Sequence, residues 1–191
     1  MKGWYPAMKK ILALMAATLL VLSVICSAMA DGVTFTTEYF TLELPEDWII
    51  NTDGLKVDKE EGYEELGLFY PPDEKGITVG AAKVYYEELN DLSLWNASEE
   101  EFEEYKEMIL DENADEKTEY IETFMVDRLP FILFRCTDED GTYLYANTIA
   151  NGHSFKFFVY EADEDSIYPV TDEDIALFKT ILATFKPVTA N

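Results

Sequence analysis

Histidine and cysteine, the residues that most often bind transition metals or act as catalytic base and nucleophile, are nearly absent. The 191-residue sequence has two cysteines and one histidine, His153. Zinc sites draw on several Cys or His ligands, and a catalytic nucleophile needs a base beside it. Ser154 follows His153, but neighbours on a strand point to opposite faces, and no G-x-S-x-G, P-loop or H-E-x-x-H pattern occurs. The sequence therefore predicts a protein that is not an enzyme.

Basic residues are also few, since 14 Lys and Arg stand against 39 Asp and Glu, which gives a formal net charge of −25 at pH 7. A charge of this sign repels nucleic acids and anionic membranes, so neither is expected as a partner. Disordered acidic chains are poor in aromatic residues, whereas this one has twelve Phe, twelve Tyr and three Trp. We therefore expect a folded domain whose acidic surface favours solubility. Cation binding and attraction to a basic partner are the alternatives.

The one long hydrophobic run lies within the first thirty residues. Basic residues precede an apolar segment at 11–25, and Ala28-Met29-Ala30 follows it. These are the parts of a secretory signal peptide, here of bacterial type. At about fifteen residues the run falls short of the ~20 that span a bilayer, so we expect cleavage after Ala30 and no membrane insertion afterwards. The leader, which starts at Met1 or alternatively at Met8, predicts a protein that is secreted or held in the cell envelope.

The expected mature chain, residues 31–191, has a single cysteine, Cys136, and therefore no internal disulfide. It keeps 11 of the 14 basic residues and all 39 acidic ones, so its net charge becomes −28. It contains no internal repeat and no Pro/Gly/Ser linker, which predicts a single domain. Because Cys136 follows an apolar segment on a predicted strand, we expect its thiol to be buried and to pack as a small hydrophobe.

Hydrophobic periodicity predicts several strands, a helix, four more strands and a final helix. Ser98 and Glu101 form a capping box that starts the first helix. Thr171 caps the last helix, which Pro187 is expected to end, and Asn151-Gly152 is typical of a type I′ hairpin turn. The predicted strands are 39–44, 66–70, 77–86, 118–126, 129–137, 142–150 and 153–161, the first helix is 98–110, and 51–65 is expected to be a surface loop.

The hairpin at 142–161 carries apolar or aromatic residues at both its odd and its even positions. A strand that is apolar on both faces is covered on both faces. We therefore expect an α+β domain in which an antiparallel sheet of about six or seven strands lies between helices, an α/β/α sandwich. The aromatic residues that this hairpin places on the sheet are candidate contacts for a partner: Tyr143, Tyr145, Phe158 and Tyr160.

Two segments, at 40–48 and 178–186, resemble parts of one known fold family. The stretch Phe40-Thr41-Leu42-Glu43-Leu44-Pro45-Glu46-Asp47-Trp48 resembles the strand and P-x-x-W opening of PsbP-like domains, and residues 178–186 are similar to the last helix of that family. The resemblance covers roughly 33–187 and rests on hydrophobic, structural positions. It implies an antiparallel sheet between helices and a protein that acts by binding other proteins. Because the matched positions are core positions, it carries over no binding residue.

An acidic segment after the first helix matches part of a calcium-binding loop. Asp111, Asn113, Asp115, Glu119 and Glu122 fall at positions 1, 3, 5, 9 and 12 of an EF-hand-like loop, where calcium takes hard oxygen ligands. Position 6 is occupied by glutamate where that loop has glycine, and a strand is expected to follow instead of a helix. Calcium at this segment is the alternative to a protein without a cofactor.

Together these features predict an exported, non-enzymatic domain that binds another protein or an envelope component. An acidic calcium-binding extracellular protein is the first alternative. A carboxylate-dependent hydrolase is a further alternative, and it requires two acidic side chains that face each other in one cleft. The identity of the partner and the oligomeric state are left open.

Overall fold

The computed structural model describes residues 32–73, 76–89, 92–112, 117–137, 141–161 and 170–188. The leader lies outside these ranges, so the signal peptide, its cleavage and the localisation stay predictions. Asn113 and Asp115 of the calcium hypothesis also lie outside them. Within the described ranges, no helix is long and apolar enough to cross a membrane.

Strands dominate the described chain and are accompanied by two α-helices and one 3-10 turn. The strands are β1 (Val33–Thr36), β2 (Phe40–Leu44), β3 (Ile49–Asn51), β4 (Val57–Asp58), β5 (Tyr63–Tyr70), β6 (Ile77–Val84), β7 (Lys117–Val126), β8 (Leu129–Thr137), β9 (Thr142–Ala150), β10 (His153–Glu161) and β11 (Lys186–Pro187). The helices are α1 (Glu99–Glu112) and α2 (Asp172–Leu182), and the 3-10 turn is Glu87–Leu89. This is a sheet-dominated α+β fold, as the sequence predicted.

The strands form two antiparallel sheets. The main sheet has the order β3-β5-β6-β10-β9-β8-β7, with β4 paired to β5, and a small sheet has the order β1-β2-β11. The expected single sheet is therefore divided, and Pro187 takes part in β11 instead of ending α2 directly. The segment 51–65, expected to be a loop, contains β4 and the start of β5 because both pair along the same hairpin.

The four strands from β7 to β10 form the predicted antiparallel meander. At the β9–β10 turn, Asn151 and Gly152 have φ angles of 53° and 74°, which is the left-handed backbone expected of that pair. After the turn, β10 pairs on its other side with β6. The last hairpin thus lies in the centre of the main sheet, which explains why its strands are apolar on both faces.

One face of the main sheet packs against the small sheet and α2. The ring of Phe40 in β2 lies 5.6 Å from that of Phe157, and the ring of Phe185 after α2 lies 5.5 Å from that of Phe131. Both pairs are edge-to-face, which is a preferred arrangement of aromatic rings. All four side chains are buried, so this cluster is the centre of the hydrophobic core.

The opposite face of the main sheet lies beneath α1. Tyr105 and Ile109 of α1 are buried in the core, and Lys106 lies over the ring of Tyr120 in β7 at 5.2 Å. Cys136 on this face is fully buried, as predicted. The α/β/α expectation is therefore correct only in part: each face has a helix, but on one face a second sheet shares the packing.

Both α-helices begin with the predicted caps. The Ser98 amide donates to Glu101 Oε2 at 2.7 Å, and the Glu101 amide donates to Ser98 Oγ at 3.2 Å. Thr171 and Asp174 make the same reciprocal pair at α2. Two hydrogen bonds from Ser98 lower the pKa of Glu101. The bond from the amide has the larger effect, and the bond from the hydroxyl has the smaller one.

Candidate partner-binding face

Four aromatic residues lie side by side across four neighbouring strands, on the face that α1 partly covers. Tyr120 in β7 is opposite Phe134 in β8, which is opposite Tyr145 in β9, which is opposite Phe158 in β10. Residues directly opposite each other in a sheet point to the same side. We call these four residues the aromatic row.

Two rings at the centre of the row are stacked, and a neighbouring ring stacks on one of them. The Phe134 and Tyr145 rings are stacked with centroids 5.4 Å apart, and Tyr143 stacks on Tyr145 at 6.4 Å. The side chain of Lys156 lies over the Tyr145 ring, with its Nζ 4.3 Å from the ring centroid. Aromatic pairs of this kind contribute about 0.5–1.5 kcal/mol beyond area burial, so the row is a pre-ordered surface.

The row ends on a glycine. Phe158 is opposite Gly80 in β6, and a Cβ added to Gly80 would lie 2.1 Å from Phe158 Cζ. The phenyl ring therefore occupies the space above the backbone of β6. A glycine inside a central strand often marks such a close approach.

Exposure varies along the row and is highest at the edge of the sheet. Phe134 is fully buried, Tyr145 and Phe158 are half-buried, and Tyr120 is 42% exposed. Tyr143, beside the row, is also half-buried. The row is thus anchored in the core and accessible at its β7 end.

Three of the four residues predicted as partner contacts, Tyr143, Tyr145 and Phe158, lie together on this face. The backbone of Tyr160 is opposite Thr78 at the end of β10, and its side chain lies outside the description. Sequence reasoning missed Tyr120 and Phe134. The strand alternation shows which residues of one strand share a face, but the pairing of β7 with β8 contains an irregularity between Tyr120 and Glu122, which hides the match.

Two glutamates of β7 lie on the sheet face opposite the row, and each has a basic neighbour. Glu119 and Glu122 in β7 face the other side of the sheet, where Glu119 lies 3.8 Å from the Arg135 guanidinium and Glu122 Oε1 lies 2.6 Å from Lys179 Nζ. Three glutamates, at 99–101, occupy the first turn of α1. Lys106 and Lys156 lie over the row itself, so any long-range attraction of a basic group comes from the net charge of the whole chain, −25.

The calcium hypothesis involves three described residues. Asp111 is exposed near the end of α1, and Glu119 and Glu122 make the contacts with Arg135 and Lys179 given above. Within the described residues, no group of three or more His, Cys, Asp or Glu side chains is placed to hold a metal ion. Calcium binding stays a prediction.

His153 and Ser154 point to opposite faces, as predicted. His153 is exposed and its ring lies 4.9 Å from that of Tyr39, whereas Ser154 is buried. The pKa of His153 is lowered, mainly by desolvation of the imidazole and to a smaller extent by the positive charge of Lys83. The imidazole thus packs on an aromatic ring and is not directed at the neighbouring hydroxyl.

Lys83 is held beside this histidine by two partners. Its Nζ donates to Tyr39 Oη at 2.7 Å and lies 3.2 Å from Glu64 Oε2. Burial lowers the pKa of Lys83, but the hydrogen bonds to Tyr39 and Glu64 outweigh it and the net shift is upward. Lys83 is therefore a charged structural group that links β5 and β6 to Tyr39, the residue before β2.

Comparisons with known proteins give structural likenesses only. No protein-family model matches the chain, and no curated protein matches its sequence. The chain is similar to the cyanobacterial PsbP (CyanoP) of Synechocystis sp. PCC 6803, with 13% identity, a TM-score of 0.46, and coverage of 83% of this chain and 94% of that one. This finding agrees with the resemblance to PsbP-like domains.

Two further solved structures are similar over the same share of this chain, 83%. One is a protein from Bacteroides thetaiotaomicron, with 16% identity, a TM-score of 0.43 and 49% of its own length covered. The other is the immunity protein TplEi of the Pseudomonas aeruginosa T6SS, solved with the "L" peptide, with 11% identity, a TM-score of 0.39 and 98% coverage. With TM-scores below 0.5, these likenesses carry no argument about what the chain binds.

Proposed function

We propose that this chain is an exported, non-enzymatic domain that binds a basic segment of another protein or of an envelope component. The observation that carries the proposal is the aromatic row, which crosses four strands and ends in a 42% exposed tyrosine, Tyr120, at the sheet edge. Tyrosine and other aromatic residues are enriched at protein interfaces, where they supply most of the binding energy.

Two lysines of the protein itself already make cation–π contacts with rings of the row, which supports the proposal that a basic partner binds there. Lys106 lies over Tyr120 and Lys156 lies over Tyr145, each within the range of a cation–π contact. A lysine or arginine from a partner makes the same contact on the exposed parts of these rings. The net charge of −25 adds attraction at long range and raises the rate of association.

A capture experiment with matched variants tests the proposal. The exported protein, tagged at its C terminus, is recovered from an envelope extract of the bacterium that encodes it, in parallel with Tyr120→Ala and Tyr85→Ala. Tyr85 is 56% exposed but lies outside the row, so it is the control. We expect one captured component whose recovery falls about tenfold for Tyr120→Ala, the equivalent of about 1.4 kcal/mol, and is unchanged for Tyr85→Ala.

Salt provides a second readout in the same experiment. Because the attraction is electrostatic, recovery decreases as the ionic strength rises. Recovery that is equal for wild type and Tyr120→Ala, or that is insensitive to salt, contradicts the proposal.

A further inference from the structure

The main sheet has two edges of very different length. At one edge, β3 has three residues and the adjoining β4 has two. At the other edge, β7 has ten residues. Edge strands expose unpaired N–H and C=O groups, and proteins usually keep such strands short or cover them. The edge at β7 is therefore the one that offers more backbone to another strand.

No residue that the structure describes pairs with the outer backbone of β7 over most of its length. From Glu119 to Val126, no hydrogen bond within the described residues reaches the side of the strand that faces away from β8. The side chains along this segment are exposed or half-buried except at Val126. Eight residues of strand extend about 26 Å, which is enough to pair with a short extended peptide.

The register shift in β7 places exposed apolar side chains on one face of this edge and acidic side chains on the other. The register shifts between Tyr120 and Glu122, so that Tyr120 and Met125, five residues apart, both lie on the face of the aromatic row. They are 42% and 59% exposed. Glu119 and Glu122 lie on the other face, with side chains 67% and 42% exposed.

We propose that β7 accepts an extended partner segment as an added strand, and that this segment alternates apolar and basic residues. Main-chain hydrogen bonds to β7 supply affinity, and side chains at alternate positions supply specificity, as in other cases of strand addition. The apolar residues pack on Tyr120 and Met125. The basic residues lie on the face of Glu119 and Glu122, whose carboxylates then share their contacts with Arg135 and Lys179. The inference rests on the proposed function, for which it supplies the mode of binding and the partner class.

Charge distinguishes this partner from a second copy of the chain. Two copies that pair through β7 bring together two molecules of net charge −25 and two sets of glutamates. Like charges near one another oppose association, whereas a basic segment is attracted. A basic strand from another molecule is therefore the favoured occupant.

The test uses the synthetic peptide Lys-Val-Lys-Val-Lys-Val-Lys-Val and the isotope-labelled exported protein. We expect saturable chemical-shift changes in β7 and slower amide hydrogen exchange there when the peptide is bound. The same peptide with every backbone amide N-methylated has no N–H to donate along either edge, and the Glu-Val analogue has the wrong charge. We expect both to bind at least about tenfold more weakly.

A matched pair of variants localises the site. Met125→Lys places a positive charge, the same sign as that of the peptide, at the β7 edge. Val57→Lys is the control, because it places the same charge at a 55% exposed position in β4, at the other end of the sheet. We expect about a tenfold loss of peptide affinity for Met125→Lys and less than about a twofold change for Val57→Lys.

Three results overturn the inference: equal binding of the N-methylated peptide, shifts confined to the row without slower exchange in β7, or a dimer in sedimentation that Met125→Lys dissociates. If envelope capture still depends on Tyr120 after any of these, the proposed function stands without strand addition. If the peptide pairs with β7 but capture does not depend on Tyr120, the proposed function is wrong.

Discussion

At the scale of single residues, the contact between Gly80 and Phe158 holds one end of the aromatic row in place. The distance of 2.1 Å between a Cβ on Gly80 and Phe158 Cζ leaves no room for a methyl group. Gly80 does not have a positive φ. Glycine is therefore required here because it has no side chain, and not because its backbone is flexible. The ring and the bare backbone are therefore complementary.

Gly80→Ala is expected to lower the free energy of unfolding by about 1–3 kcal/mol, because the added methyl forces the ring of Phe158 out of its position. Urea denaturation followed by circular dichroism measures the change. In a Phe158→Ala background the same substitution has space, so its cost falls well below that in the wild type. Equal costs in the two backgrounds mean that the contact does not constrain the position.

Which single residues form the row was only partly predictable. Tyr145 and Phe158, and Tyr143 beside the row, follow from the alternation along one hairpin, whose two strands a short turn connects in a fixed register. Phe134 is opposite Tyr145 only through the pairing of β8 with β9, and the Asp-rich segment between them does not define a register in the way that Asn151-Gly152 does. The residue pattern thus predicts which side chains share a face only for strands that a tight turn connects.

At the scale of elements, the helix starts are determined locally. The capping box of α1 joins Ser98 to Glu101, and that of α2 joins Thr171 to Asp174, each three residues apart. A hydrogen bond between groups so close in the chain requires no tertiary contact, which is why the sequence predicted both. Strand β7 is the opposite case, because its place at an edge depends on which strands pair.

Ser98→Ala is expected to destabilise the protein by about 1 kcal/mol, the usual loss when an N-cap oxygen is removed. Because the pKa of Glu101 is lowered in the folded state, its contribution is present above its unfolded value near 4.5 and is lost as the pH falls through the folded pKa. Ser98→Ala keeps the amide that donates to Glu101 and removes only the hydroxyl. Thermal unfolding from pH 7 to pH 3 therefore gives a difference between wild type and Ser98→Ala in which the part due to the hydroxyl shrinks in acid.

Thr52→Ala is the matched control for this prediction, since Thr52 is exposed and caps no helix. It is expected to change stability by less than about 0.5 kcal/mol. A loss as large as that of Ser98→Ala contradicts the capping argument, and so does a Ser98→Ala difference that is constant with pH.

At the scale of the whole molecule, a net charge of −25 acts on every cation. Diffuse attraction of cations reduces the repulsion among 39 acidic residues and stabilises the folded state without any specific site. A specific calcium site at Asp111, Glu119 and Glu122 instead requires Glu119 and Glu122 to leave Arg135 and Lys179. The ion pairs favour the diffuse mode.

Calcium chloride and magnesium chloride at equal millimolar concentrations are therefore expected to raise the melting temperature by the same amount. The two ions have the same charge and screen alike, whereas an EF-hand-like loop distinguishes them by ligand number and size. Differential scanning fluorimetry measures the shifts, with Asp111→Asn as the variant. A larger shift with calcium that Asp111→Asn removes establishes the specific site.

The sequence by itself determined the caps, the tight turns, the strand meander and the acidic, aromatic-rich composition, because each depends on residues that are close in the chain or on composition alone. Only the tertiary structure decided that β2 leaves the main sheet, that the aromatic row continues to Tyr120, and that a ten-residue strand lies at an edge. These depend on the pairing of distant strands. Long-range pairing is set by the summed burial of both sheet faces, which no single segment of the chain encodes.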